Sequence, residues 1–234
     1  MSEADRISQI RSSERESHIA MYSAPAEHPW LNRPVKSVME MLPNLDTRKN
    51  LRILDLGCGT GRNSIAIAKY FHKFRCTIDC VDILDIAIEK LAVSSEENQV
   101  GHMINGILSS IDDYPIWCDS YDSIVAVSAL EHVATEAIFH KKLLEIRSGI
   151  VSGGTVCLVL NSNIREIRKN DQCFVSPQFE VNLSADRLNC LLNETFTGWK
   201  ILKASEVEQS YDIPRGKESH TLETTVITFV AQKP

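Results

Sequence analysis

Long apolar runs are missing from this sequence. Nowhere do about 18 apolar residues follow one another, the least a helix needs to cross a bilayer. The opening stretch MSEADRISQIRSSERESH has no apolar core of the kind a secretory signal carries, so a cytoplasmic protein without membrane partners is expected. A basic excess is missing too. Twenty-five Lys and Arg stand against 31 Asp and Glu, a net charge of −6, so the electrostatic footprint of a nucleic-acid-binding protein is excluded. Residues 1–50 hold 7 basic and 7 acidic side chains, which excludes a basic docking arm. No two of the seven cysteines (58, 76, 80, 118, 157, 173, 190) are spaced C-x-x-C, and they read as reduced core residues of a cytosolic protein. The seven histidines are scattered rather than spaced as ligands, so no metal is expected. Internal repeats and low-complexity segments are absent as well. What is left, 234 residues of which 43% are hydrophobic, suits a single globular unit with a substantial core and a small-molecule partner. Nothing in it indicates an oligomeric state.

The stretch that is present and informative is ILDLGCGTGRN, residues 53–63. It reads as a buried parallel strand from Leu51 to Leu56, a turn with glycine at 57, 59 and 61, and a helix starting near Arg62. Alternate glycines let a backbone take positive φ and come close to a ligand. A dinucleotide turn wants G-x-G-x-x-G, but here Arg62 stands at the last glycine position, which disfavours an NAD enzyme. The lysine and hydroxyl residue of a phosphate loop are also missing.

The remaining pattern, acid-x-G-x-G-x-G, resembles the first motif of the class I S-adenosylmethionine-dependent methyltransferases. That resemblance implies an α/β fold: a Rossmann-like doubly wound sheet, mostly parallel and seven-stranded, with an antiparallel C-terminal strand. It implies S-adenosylmethionine as cofactor and S-adenosylhomocysteine as product. Asp55 would help hold the amino group, and Gly57, Cys58, Gly59 and Gly61 would wrap the methionine part. Residues 50–234 would form the cofactor domain and residues 1–49 a helical arm or lid.

Along the chain, residues 1–20 read as a polar helix or frayed tail. The proline-marked loop 21–30 carries Tyr22, His28 and Trp30, either as an acceptor-covering lid or as anchors of the arm to the core. Arg33-Pro34 opens a short helix through Met41. Ile67, Tyr70, Phe71 and Phe74 make one buried helical face. The second strand, 76–81, ends at Asp82, where a carboxylate can accept from a ribose diol, with Ile83 beside it. Asp85 suits an N-cap. The third strand, 101–108, lacks the acid that many relatives carry near Gly106; Ile107 and Leu108 would form an apolar wall on the adenine, and Asp112 and Asp113 are set aside as replacements. The apolar run 124–127 delivers Ser128, Glu131 and His132 to the crevice, and the L-E-H-V segment is similar to the post-strand segment of small-molecule methyltransferases. His132 is either a general base or a ring that only packs and hydrogen-bonds locally.

A helix with Phe139, Leu143, Ile146 and Ile150 ends at Gly153-Gly154, before a strand over 155–160. Residues 161–182 read as a polar insert near the acceptor, and Ser184 caps a last helix. Strands 199–204 and 224–230 flank a connection, 205–223, from which Tyr211, Arg215 and His220 could face the acceptor. The tail is similar to the tellurite-resistance-like group of small-molecule methyltransferases. Methyl transfer to an O, N or S nucleophile is the activity implied, with a non-catalytic S-adenosylmethionine-binding module as the alternative.

Overall fold

Alternation along the first strand settles how the molecule is layered. In β1 (Leu51–Leu56), Leu54 and Leu56 enter one apolar cluster while Leu51 and Ile53 enter another, because successive side chains leave a strand on opposite faces. The computed structural model describes residues 3–24, 29–47, 50–216 and 218–234. Around β1 stand β2 (Cys76–Asp82), β3 (Ile104–Leu108), β4 (Tyr121–Val127), β5 (Ile150–Arg168), β6 (Phe174–Val175), β7 (Lys200–Arg215) and β8 (Glu218–Gln232). The helices are α1 (Glu3–Ser23), α2 (Lys36–Met41), α3 (Arg62–Tyr70), α4 (Asp85–Glu97), α5 (Glu136–Gly149) and α6 (Ala185–Thr195). None of these described helices is long and apolar enough to cross a membrane.

The sheet runs β3-β2-β1-β4-β5-β8-β7, with β6 pairing the outer end of β5. Strands β1 to β5 are parallel, and β8 is antiparallel to both β5 and β7. It is the doubly wound α/β sheet that the sequence implied, with eight strands rather than seven. Helices α5 and α6 cover one face through Phe139, Leu143, Leu188 and Leu192; α2 and α3 cover the other through Val38, Met41, Ile67 and Ala68. The strand order runs outward in opposite directions from β1 and from β4, which are parallel, so a crevice opens at their C-terminal ends.

Several boundaries differ from the sequence reading. Helix α5 ends at Gly149, and Ile150 opens β5 instead of lying on the helical face. Residues 161–168, read as part of a polar insert, continue β5, and the supposed connection 205–223 is the outer half of one long β7–β8 hairpin. Polarity hid both. The inward positions of this extension include Glu166 and His220, which bond each other across the sheet instead of supplying apolar alternation. Helix α3 stops at Tyr70, leaving Tyr70 and Phe74 at 44% and 43% exposure, not buried. Asp85 is not the cap of α4: Leu84 holds that position, and Asp85 lies in the first turn. Of the cysteines, 58, 76, 80 and 157 are buried and 118, 173 and 190 exposed; all are free thiols.

Phe196 ties α6 to the antiparallel half, with ring centroids 5.0 Å from Trp199 and 5.2 Å from Phe229. Phe196→Ala is expected to lower stability by ~3–5 kcal/mol in urea unfolding. A loss below ~1 kcal/mol would show that this aromatic cluster does not hold the two halves together.

Candidate functional site

The end of β1 is held by backbone bonds: the N–H groups of Gly57 and Cys58 donate to the Val81 carbonyl at 2.8 and 3.0 Å. At Gly59, φ is +54° and a Cβ would stand 3.0 Å from the Tyr22 hydroxyl, so glycine there permits a close approach from α1. Gly61 serves packing instead. A Cβ there would meet the Leu91 side chain of α4 at 2.3 Å.

Two buried acids lie under and beside this turn. Asp55 accepts from the Ser64 hydroxyl of α3, and burial pushes its carboxyl up to about 6 against the pull of Ser64 and the Arg62 charge. Asp82 joins two turns. Its Oδ2 accepts from Gly59 N and its Oδ1 from Leu84 N, both at 2.9 Å, while burial raises its proton affinity despite those bonds.

A cavity of about 560 Å³ opens over the turn, within the size range of small-molecule sites. Of the expected cofactor residues, Gly57, Cys58, Gly59, Asp82, Ile83 and Ser128 line it. Asp55, Gly61, Ile107 and Leu108 do not: Asp55 lies beneath the turn, Ile107 packs on the core, and Leu108 is 59% exposed. The wall expected from Ile107 and Leu108 is formed three residues on, by Ser110, Ile111 and Asp112. Asp112, set aside by the sequence reading, is thus a lining residue; its Oδ2 accepts from Arg11 at 2.7 Å and from Ala134 N at 3.3 Å.

Helix α1 supplies the opposite wall with Arg11, Glu14, Arg15, His18 and Tyr22. Tyr22 is helical rather than in a loop, and its phenol is buried, with its proton held more tightly because of that burial and the nearby Asp82. Only Tyr22 of this group was expected; the others sit in a charged run without an apolar stripe to mark it. The expectations for His28 and for the Trp30 side chain lie outside the described residues. Arg215 and His220 are not in the lining. Arg215 bonds Glu166 at 3.0 and 3.2 Å and Glu14 at 2.9 Å, and His220 Nδ1 lies 2.6 Å from Glu166, so this cluster fastens α1 to the hairpin.

His132 lines the cavity and stacks on Phe179 with centroids 5.0 Å apart. Its Nδ1 lies in hydrogen-bond range of Glu180 Oε2, at 3.1 Å. Burial alone would lower its proton affinity, but the Glu180 bond and the charges of Glu131, Glu180 and Glu14 outweigh that and raise it. Glu131 Oε1 accepts from Asn161 N at 3.0 Å, while its buried Oε2 has no partner among the described residues.

A larger groove of about 670 Å³ lies against the outer end of β5. Two of its three side-chain amides are already engaged: Asn163 donates to Thr225 at 3.2 Å, and Asn182 bonds the Ile164 backbone at 2.9 and 2.8 Å. The cavity at the strand ends is therefore the better candidate. Its donor set fits a nucleoside with hydroxyls better than a pyrophosphate, because the Gly59 N–H already serves the Asp82 carboxylate and a second anion there would be repelled.

Residues 53–154 match the family described as a methyltransferase domain. The matched segment runs from β1 into β5 and holds the glycine turn and its acids; there the chain is similar to methyltransferases that use S-adenosylmethionine. The chain is 37% identical over 76 residues to a ribosomal protein L11 methyltransferase of Campylobacter jejuni, a match covering 32% of this chain and 22% of that protein. In fold it is similar to TehB from Haemophilus influenzae, with a TM-score of 0.62 and 19% identity over 86% of this chain and 62% of that one. It is also similar to a methyltransferase of Methanosarcina mazei, with a TM-score of 0.59 and 15% identity over 86% and 98% of the two chains.

The raised Asp55 carboxyl has a definite sign in stability. With a folded pKa of about 6 against an ordinary 3.8, its contribution is complete below the lower value and is lost as pH rises through the upper one. The loss is on the order of 2–3 kcal/mol. Asp55→Asn is expected to flatten the stability profile between about pH 4 and pH 6 in urea melts, relative to the native chain. An unaltered slope would mean that Asp55 does not titrate there.

Proposed function

We propose that the chain is an S-adenosylmethionine-dependent methyltransferase acting on an O, N or S nucleophile of a small molecule. The observation that carries this reading is the meeting of the glycine turn, Asp82 and His132 in one cavity beneath α1. Asp82 would accept from the ribose hydroxyls, using lone pairs left over after the Gly59 and Leu84 bonds. Gly57, Cys58 and Gly59 would lie along the methionine portion, with Ile83, Ser128 and the 110–112 segment around the rest. Asp55 and Gly61 would act from beneath, fixing the turn through Ser64 and Leu91.

When bound, the cofactor supplies a sulfonium-activated methyl group. The chain's own part is to hold the acceptor in line, exclude water and accept a proton where the acceptor has one to lose. Residues 1–49 would serve as the lid, since α1 already forms a wall of the cavity. A covered cavity of this size favours a small acceptor over a folded protein, and the net charge of −6 argues against nucleic acid.

Calorimetric titration with S-adenosylhomocysteine tests this reading. Micromolar binding is expected, with no response to NADH, and Asp82→Ala should weaken binding ~10–100-fold while keeping the native circular dichroism spectrum. Absence of binding by a demonstrably folded chain would remove the cofactor assignment and the activity with it.

A further inference from the structure

Among the groups lining the cavity, the His132 ring is held in an unusual way. One ring nitrogen, Nδ1, is committed to Glu180, a carboxylate whose side chain is 2% exposed, leaving Nε2 as the nitrogen able to take a proton from a neighbour. The plane of the ring is fixed by Phe179, the residue next to Glu180. Neither Glu180 nor Phe179 belongs to the L-E-H-V segment. Both come from the stretch after β6, which α1 clasps: Arg6 donates to the carbonyls of Phe179 and Glu180 at 3.3 and 3.0 Å, and Ser13 donates to Gln178 at 2.6 Å.

Arg11 completes the arrangement. Its guanidinium bridges Glu180 at 3.3 Å and Asp112 at 2.7 Å, so one cation of α1 touches both the carboxylate behind His132 and the acid on the opposite wall. We propose that Glu180 is the positioning residue that presents Nε2 of His132 as the base for the acceptor, and that Arg11, carried by α1, sets the strength of that base.

The chemistry is a single proton transfer. The acceptor's O–H, N–H or S–H bond breaks, its electron pair stays on the acceptor as nucleophile, and the proton moves to His132 Nε2 before leaving to solvent. A carboxylate behind an imidazole favours the charged ring and so strengthens the base. A cation on that carboxylate does the opposite, reducing the negative charge the ring feels. The remaining charges facing the ring are Glu131 on its own turn and Glu14 on α1. Glu14 is paired with Arg215 at 2.9 Å, and Arg11 is bonded to the Glu180 carboxylate itself. With α1 in place, the ring is less readily protonated by solvent and remains available to the acceptor. Without Arg11 it would stay protonated to higher pH and would be inert as a base.

This inference deepens the methyl-transfer reading and rests on it for the identity of the reaction, but its test does not need the acceptor. The full chain labelled with ¹⁵N in its histidine rings is titrated by long-range ¹H–¹⁵N NMR, with and without S-adenosylhomocysteine, and His132 is assigned by the signal missing in His132→Gln. The neutral ring is expected to carry its proton on Nδ1. Glu180→Gln should lower the ring's midpoint by ~1 pH unit, Arg11→Met should raise it by ~0.5 unit, and Glu180→Leu should move the neutral proton to Nε2. A neutral native ring protonated on Nε2 would overturn the proposal. So would midpoints unchanged in both Glu180→Gln, which is near-isosteric, and Arg11→Met, which keeps an unbranched apolar stem without the charge. S-adenosylhomocysteine binding, read in the same samples, reports on the methyltransferase reading separately: loss of binding with the ring shifts intact would sink that reading and leave the dyad standing.

Discussion

The carboxylate of Asp82 is the junction on which the site depends. It joins the turn after β1 to the turn before α4, taking an N–H from each, and so fixes both the height of Gly59 and the direction in which α4 departs. Two donors do not saturate a carboxylate, which offers about four lone-pair sites. The group is nonetheless buried, and burial raises its proton affinity above the ordinary value. An incompletely satisfied, buried acid is a poor structural device and a good receptor for hydroxyls, because each further donor both gains a charge-assisted bond and relieves the desolvated charge. The same carboxylate therefore shapes the turn and selects against a phosphate beside it.

How much of this was legible follows from which residues carry apolar periodicity. Strands β1 and β4 are rich in Leu, Ile and Val and β2 in Cys, Ile and Val, buried on both faces, so the strands and the acids at 55 and 82 could be read directly from the chain. The outer half of the sheet was not legible, because β5 there presents Asn161, Ser162 and Glu166 inward and satisfies them with Thr224, Thr225, Arg215 and His220. Each of those partners lies more than forty residues away in the sequence, so no local pattern signals the pairing. The same applies to Arg215 and His220, which a linear reading turned toward an acceptor and the fold turns toward Glu166. That the 110–112 segment lines the cavity in place of Ile107 and Leu108 has a simpler cause. Strand β3 is an edge strand, and Leu108 on it faces outward while the chain beyond bends back over the crevice.

Helix α1 shows what such a reading misses most. It is polar all round, with Ile10 and Tyr22 its buried apolar side chains among the described residues, and a helix of that kind must be held by other elements rather than by a core of its own. Its holds are mostly polar and ionic, beside the small apolar cluster that Tyr22 forms with Leu31, Leu84 and Ala87. Arg11 reaches Asp112 and Glu180, Arg15 reaches Asp85 at 2.9 Å, and Glu14 reaches Arg215. The exposed Arg15 pair is worth at most ~1 kcal/mol and is screened by salt. The other two end on acids that the sheet and its loops have already buried, Glu180 and Glu166, where a missing partner would leave charge uncompensated.

The consequence is a graded molecule. The sheet and its two apolar layers are held by burial, which ionic strength hardly touches, whereas α1 rests largely on charged and polar contacts at the mouth of the cavity, with a small apolar contact at Tyr22. Elements of that second kind are drawn from the low end of local stability, and they can exchange while the core stays intact. The charges that fasten α1 are also those that surround His132: Glu14, Glu180 and, through it, Arg11. Attachment of the helix and protonation of the ring are thus one electrostatic problem. Whatever weakens the first shifts the second, and a ligand that needs a neutral imidazole favours the state in which α1 is in place.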